Sequence, residues 1–380
     1  MRLGKTRFVC VSDTHGYTPS EAGFRFPAGD VLIHAGDLTN QGSKSELRKT
    51  IDWIAAADYE VKIVVCGNHD ITLDEPFYRE NKAHFHNRHP QDPRECMELI
   101  THASPSIIFL KHESALIRLT NPNGPNTVFK VFGSPYSQCN GNWAFLYESD
   151  KAEELWRAIP LDTDIVVTHM PPRSHCDNIA GAAMGCQALQ RNLERVRPSL
   201  AVCGHIHESR GYERVKWRSL LNPKGDEGES LENEAVKGVL PPLGSKKQSL
   251  VDLTGKKAPR LDNQGFFMRM GENVSSFSPP ALNQDIVILP QQSNEVDQGQ
   301  ETGFSLSPSC PTTAQAQDAR ADAECVRTHR QETCIVNAAI MATNWPHQGG
   351  RKFYPGPIVV DLELPVWTNG TPSSQAQIST

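Results

Sequence analysis

Gly29-Asp30-Val31-Leu32-Ile33-His34-Ala35-Gly36-Asp37 is the stretch that decides how this chain folds. Residues 31–34 form a short apolar run of the kind found in buried strands, and it leads within three residues to a glycine and a carboxylate. The same arrangement recurs four more times. Asp13-Thr14-His15 follows the run 7–12, Gly67-Asn68-His69-Asp70 follows 62–66, Thr168-His169 closes 164–168, and Gly204-His205-Ile206-His207 follows 200–203. Polar groups placed just after strands belong in the crevice at the carboxyl ends of an α/β sheet, where such folds bind ligands. The spacing of two in Asp-x-His and His-x-His points both side chains of each pair to one face of extended backbone.

Working outward, strand-like runs alternate with helical patterns through the first half of the chain, as crossover helices between strands require. Ser43 with Glu46 forms a capping box ahead of Leu47, Ile51 and Ile54, which keep one helix face. Asp92-Pro93 with Glu95 opens another helix, and 186–196 reads as a third. Residues 107–110, 115–119 and 128–132 read as a second group of strands, the last two joined by the turn cluster 121–126. The pattern predicts a two-sheet α/β fold. Between 220 and 330 it fails: Gly, Pro, Ser, Gln, Asn and charge dominate, and the stretch reads as a low-complexity, disordered insertion with two apolar islands, 265–270 and 285–289. Such an insertion is a candidate for recruiting a protein partner. Structure is expected to resume at 334–341 and 356–364 before a polar tail, 368–380.

Of the 380 residues, 38 are Lys or Arg and 44 are Asp or Glu, for a formal net charge of −6. No overall positive field is present to hold a long nucleic acid. No stretch approaches the ~18 apolar residues of a membrane span. The first strand-like run begins at residue 7, which leaves no room for a cleavable signal. The ten cysteines contain no Cys-x-x-Cys pair, and Cys10, Cys66 and Cys203 lie in apolar runs as small buried hydrophobes. A reduced, cytoplasmic protein is expected.

Collected, the motifs offer Asp13, His15, Asp37, Asn68, His169, His205 and His207, a mix of carboxylate, amide oxygen and imidazole without thiolate. Those donors suit Mn, Fe or Zn better than a Cys-rich structural zinc site or an all-oxygen calcium cage. Seven donors exceed what one such ion commonly takes. Two ions ~3.5–4 Å apart, sharing a bridging Asp and hydroxide, would use all seven and leave positions for phosphate oxygens.

In this order, D-x-H, G-D, G-N-H-D, H and G-H-x-H resemble the full signature of the calcineurin-like metallophosphoesterases. The opening stretch, with Gly133-Ser134-Pro135, Asn142-Trp143-Ala144-Phe145 and Thr168-His169-Met170-Pro171-Pro172, is similar to the small branch that holds class III cyclic nucleotide phosphodiesterases and the metallophosphoesterase-domain proteins. The resemblance covers 7–219 and 331–367, which it implies form one domain interrupted by the insertion. It implies a four-layer α/β/β/α sandwich with two facing mixed sheets. It also implies that Asp13, His15 and His207 hold one metal, that Asn68, His169 and His205 hold the other, and that Asp37 bridges them. His69 corresponds to the family's catalytic histidine, which contacts phosphate and assists the leaving oxygen. Asp70 is expected to orient it.

The implied activity is a dinuclear metal-dependent phosphoesterase acting on small phosphodiesters such as cyclic nucleotides, by in-line attack of a metal-bridging hydroxide. The alternatives are a phosphomonoesterase or protein phosphatase on the same site, or a metal-binding scaffold with little turnover. His34, three residues before Asp37, is expected to orient a ligand. His84, His86, His89, His102, His112, His175, His329 and His347 read as surface or core histidines. Trp143 and Phe145 read as core aromatics, and Asn142 as a residue that could line the pocket.

Overall fold

Strands form where the apolar runs lie. β1 (Leu3–Val11), β2 (Val31–Ala35) and β3 (Val61–Val65) are buried along most of their length, as strands enclosed by two layers must be. β4 (Ile107–Phe109), β5 (Glu113–Arg118), β6 (Val128–Ser134), β7 (Ile165–Thr168), β8 (Leu200–Cys203) and β9 (Gly211–Lys216) follow. β10 (Glu234–Lys237), β11 (Ser249–Asp252), β12 (Ile286–Leu289), β13 (Glu332–Asn337) and β14 (Ile358–Pro365) complete the sheets. The computed structural model describes residues 2–218, 233–242, 245, 247–263, 286–289, 330–341 and 355–367.

The first sheet has six strands in the order β11-β14-β1-β2-β3-β4, and the second has eight in the order β10-β9-β13-β8-β7-β6-β5-β12. β1 to β4 run parallel, with β14 antiparallel to β1. In the second sheet β6, β7, β8 and β13 run parallel between antiparallel β5 and β9. Alternation along each strand sorts the side chains to two faces. Phe8, Ile33 and Ile63 face inward and share one buried cluster with Ile117, Phe129, Val167 and Val202 of the other sheet. Phe8 and Phe129 meet edge to face at 5.5 Å across this layer.

The opposite faces are covered by helices. α1 (Pro19–Ala22) is a single capped turn, while α2 (Lys44–Ala56), α3 (Glu75–Phe85) and α4 (Pro93–Thr101) pack on the first sheet. Leu47, Ile51, Ile54, Tyr78 and Ile100 cluster there with Val9, Leu32 and Val64. α5 (Ala152–Arg157) and α6 (Gln187–Val196) place Trp156, Leu189 and Leu193 against Val166 and Ala201 of the second sheet. The result is the expected α/β/β/α sandwich of two mixed sheets. The Ser43–Glu46 capping box forms as the sequence indicates. No described helix is long and apolar enough to cross a membrane.

Three features differ from the sequence reading. β4, expected with the second group of strands, lies at the edge of the first sheet, because α4 returns the chain parallel to β3. α3 has no counterpart in the hydrophobic period; its signal is local, Asp74 capping Phe77 N–H with Pro76 in the first turn. Within 220–330, β10, β11 and β12 pair with β9, β14 and β5, and Val251, Leu253 and Leu261 join the core. Four-residue edge strands are too short to show a period. Residues 264–285 and 290–329 of the expected insertion, with the island 265–270 and His329, lie outside the described residues, as do His347 and the tail 368–380.

Candidate metal centre

All five motifs meet at one end of the sandwich because the strands that precede them, β1, β2, β3, β7 and β8, end there. The loops extend the ladders of their own sheets: Asp13 and His15 donate N–H to the carbonyls of Gly36 and Asp37 at 2.9 and 3.0 Å. On the other sheet His169 N–H reaches Ser134 O at 3.1 Å and Gly204 N–H reaches His169 O at 3.0 Å. The two sets are tied across the gap. His169 Nδ1 donates to Ala35 O at 2.9 Å, and His205 N–H lies 3.1 Å from both oxygens of Asp13.

The side chains form a continuous chain of donor atoms. Asn68 Oδ1 lies 3.0 Å from His169 Nε2, which lies 3.2 Å from His205 Nδ1 and 3.4 Å from Asp37 Oδ1. The other oxygen of Asp37 is 3.7 Å from His15 Nε2, which is 3.4 Å from His207 Nε2, itself 3.1 Å from Asp13 Oδ1. Asn68, His169 and His205 thus gather on one side of Asp37, and His15, His207 and Asp13 on the other. Four of these residues, Asp13, His15, Asp37 and His205, hold positive φ of 57°, 45°, 52° and 67°. Non-glycine residues rarely take that conformation, and such strain is typically concentrated at functional sites.

The glycines of the motifs have a steric cause. A Cβ on Gly36 would overlap the His169 ring, one on Gly67 would overlap the Asp37 carboxylate, and one on Gly204 would overlap Asp13 and Ser12. Gly36 also has φ +103°. Gly36→Ala is therefore expected to cost about 3 kcal/mol from overpacking and strained backbone. A lower urea midpoint at unchanged slope would show it, and an unshifted midpoint would mean the loop can move aside.

The electrostatics suit a cation. Asp13 and Asp37 are buried, and among the described residues only imidazoles pair with them. Burial opposes ionisation of Asp13, but His207 and His169 outweigh it and hold the carboxyl down to about 2. Burial pushes His15 down to about 3, and burial with the neighbouring His169 pushes His205 down to about 4, so both are neutral and able to donate a lone pair. His169 is the exception: against burial, Asp37 and Asp13 hold it up to about 9, the mark of a site whose net field favours positive charge. Ring nitrogens that face each other at 3.2–3.4 Å repel unless a proton or a cation lies between them. The bond from His169 Nδ1–H to Ala35 O leaves Nε2 as the ring atom turned toward the cluster. The donor set therefore fits metal ions.

His69 sits beside this cluster, with a ring nitrogen within 4.8 Å of donor atoms of His15 and Asp37. The backbone N–H of His69 donates to Asp37 Oδ1 at 2.9 Å. The expectation for Asp70 is corrected. Its buried carboxylate accepts from Leu38 N–H, Thr39 N–H and hydroxyl, and Gly67 N–H at 2.7–3.1 Å, so it ties the Asp37 loop to the Asn68 loop. Burial and Asp37 push it up to about 6, which leaves it mainly ionised at neutral pH. The ring of His69 is instead oriented by Asn40, whose carbonyl accepts from Nδ1 at 2.7 Å. His34 is fully buried and its Nε2 lies 2.9 Å from Thr14 Oγ1, between Asp13 and His15.

Asn337, which no motif signals, is buried at the end of β13. Its Nδ2 donates to Cys176 O at 3.0 Å and Ile206 O at 2.8 Å, which fixes the His205–His207 loop. Phe145 is a core residue, whereas Trp143 is half-buried and stacks on His69. Asn142 is exposed and donates to Asn81 Oδ1 at 3.1 Å. The remaining described histidines lie outside the cluster: His86 contacts Tyr78, His84 packs on Phe85, His112 contacts Ser134 and His175 pairs with Glu213. His102 caps α4, and His89 is exposed.

A family model described as calcineurin-like phosphoesterase matches residues 6–209. The chain is 41% identical over 213 residues to probable rhamnogalacturonate lyase C of Emericella nidulans, a match covering 56% of this chain and 18% of that protein. It is 36% identical over 219 residues to metallophosphoesterase domain-containing protein 1 of Homo sapiens, covering 55% of this chain and 62% of that one. A UPF0046 protein of Caenorhabditis elegans is 31% identical over 205 residues, with 54% and 64% covered. The chain thus spans less than two thirds of each of these relatives.

Proposed function

The chain belongs to the calcineurin-like phosphoesterase family, which uses a dinuclear metal centre, and on that premise we propose that it hydrolyses small phosphodiesters such as cyclic nucleotides. The observation that carries the reading is the convergence of seven oxygen and nitrogen donors, two of them buried carboxylates that have no Lys or Arg partner among the described residues. An unbalanced pair of buried carboxylates is costly unless a cation completes it.

In this reading Asp13, His15 and His207 would hold one ion, and Asn68, His169 and His205 would hold the other. Asp37, with one oxygen toward His169 and the other toward His15, would be shared between them. Mn, Fe or Zn suits the donor chemistry. Bound there, two such ions supply Lewis acidity toward phosphate oxygens and a water acidic enough to serve as nucleophile near neutral pH. The chain's own part is to hold the geometry and move a proton. With Nδ1 fixed on Asn40 O, His69 has Nε2 left to meet the leaving oxygen and protonate it as the ester bond breaks. Asp70 keeps the two loops that carry Asp37 and His69 at a fixed separation.

A diester is favoured over a monoester on charge. A monoester dianion needs further positive groups for its extra oxygen, and no Lys or Arg side chain is hydrogen-bonded or ion-paired to the cluster among the described residues. On chelator-stripped protein reloaded with Mn, bis(p-nitrophenyl) phosphate is expected to turn over faster than p-nitrophenyl phosphate. Faster monoester cleavage would overturn the diester assignment and leave the metal chemistry standing.

A further inference from the structure

Trp143 and the loop that carries it take no part in holding metal, yet the loop is fastened to the His69 loop and α3 at several points. Ala144 N–H donates to Asn68 O at 3.2 Å, and Phe145 N–H donates to Asp74 Oδ2 at 2.8 Å. Asn142 Nδ2 donates to Asn81 Oδ1 on α3. Phe145 itself is buried with φ 53°, a conformation that reverses the chain just after the tryptophan. The consequence of this bracing is a defined position for one ring. The Trp143 indole stacks on the His69 imidazole with centroids 4.0 Å apart and planes 30° from parallel. His15 approaches the same imidazole edge to face at 4.7 Å, and Phe85 packs against the indole at 5.6 Å.

We propose that Trp143 is a positioning residue for the leaving-group acid: with the Asn40 carbonyl it fixes both the plane and the rotation of the His69 ring. A hydrogen bond at Nδ1 alone fixes one atom and leaves the ring free to swing about it. Stacking against a braced indole removes that freedom, so Nε2 stays aimed at the site. A ring already engaged by His69 and Phe85 is poorly placed to stack on a substrate base, so the role is to orient His69 and not to bind the substrate. The inference rests on the assignment of His69 as the proton donor.

The test compares Trp143→Leu, which keeps bulk without an aromatic face, with Trp143→Phe, which keeps a face to stack. Both are loaded with Mn and assayed on bis(p-nitrophenyl) phosphate and on diphenyl phosphate, whose phenolate leaving group is more basic. Trp143→Leu is expected to lower kcat about 10- to 100-fold on the poor leaving group, as a misplaced catalytic group does. The loss should be smaller on p-nitrophenolate, with KM and metal content unchanged, and Trp143→Phe should recover most of the rate. In a His69→Ala background, Trp143→Leu should have no further effect. Higher KM at constant kcat would overturn the proposal in favour of a substrate contact. Equal losses with and without His69 would overturn it in favour of general structural support, and equal loss in Trp143→Phe would show that the aromatic face is irrelevant. If His69→Ala alone left kcat unchanged, the proton-donor assignment would fail first, and the two failures are thereby distinguished.

Discussion

Asp37→Asn is expected to deplete both metal ions at once and to reduce turnover to the level of the stripped protein. Asp37 turns one side-chain oxygen toward each half of the cluster, 3.4 Å from His169 and 3.7 Å from His15. Asparagine keeps the shape and an oxygen to accept the His69 N–H, so the loop need not move, but the negative charge and one oxygen donor are lost. Removing an outer partner of a metal ligand weakens binding roughly 10- to 100-fold, and loss of a shared ligand should exceed that for both ions. Metal analysis after dialysis should find well under two ions per chain. Asp13→Asn, by contrast, should deplete one ion preferentially, because Asp13 pairs with His207 at 3.1 Å, whereas its link to the other half runs through the His205 backbone N–H, which the amide oxygen of asparagine can still accept. Two ions retained in Asp37→Asn would show that the carboxylate is not shared.

His69→Ala should do the opposite: kcat falls by roughly 10²- to 10⁴-fold, the usual contribution of a positioned general acid, while two ions remain bound. The backbone N–H that bonds Asp37 survives the substitution, so the metal side of the loop keeps its geometry. The rate deficit should shrink as the leaving group becomes less basic, because a good leaving group needs no proton. His69 lies close enough to His15 and Asp37 that a ligand role is the competing assignment. A drop to one ion per chain would establish that role and remove His69 from proton transfer.

The residues of the cluster are legible in sequence for a local reason. Each follows a strand directly, and each glycine among them stands where any side chain would strike another residue of the cluster, as Gly36 would strike His169. The two-layer arrangement is legible too, since the runs 7–12, 31–34, 62–66 and 200–203 are apolar enough to mark buried strands. What escapes is carried by backbone or by short elements. Asn40 orients His69 through its carbonyl, and any residue type could supply that atom. Asn337 holds the His205–His207 loop from a strand more than a hundred residues away, with no motif around it. Asp70 follows His69 directly, which suggests a partnership, yet the turn directs its carboxylate back toward Leu38, Thr39 and Gly67. β10 and β11 are edge strands of four residues whose pairing partners, not their own pattern, make them strands. Trp143 was readable as an aromatic but not as a stacking partner, because only the braced loop after it brings the indole to His69.

The most direct test of the account is a metal titration. Protein stripped with a chelator is given Mn in increments from zero to four equivalents, and initial rates on bis(p-nitrophenyl) phosphate are read at each step. The account predicts no measurable turnover without metal, a rise that ends at two equivalents per chain, and a plateau beyond. Full turnover in the stripped protein, saturation at one equivalent, or no turnover with two ions bound would each contradict a dinuclear phosphoesterase centre built from these seven donors.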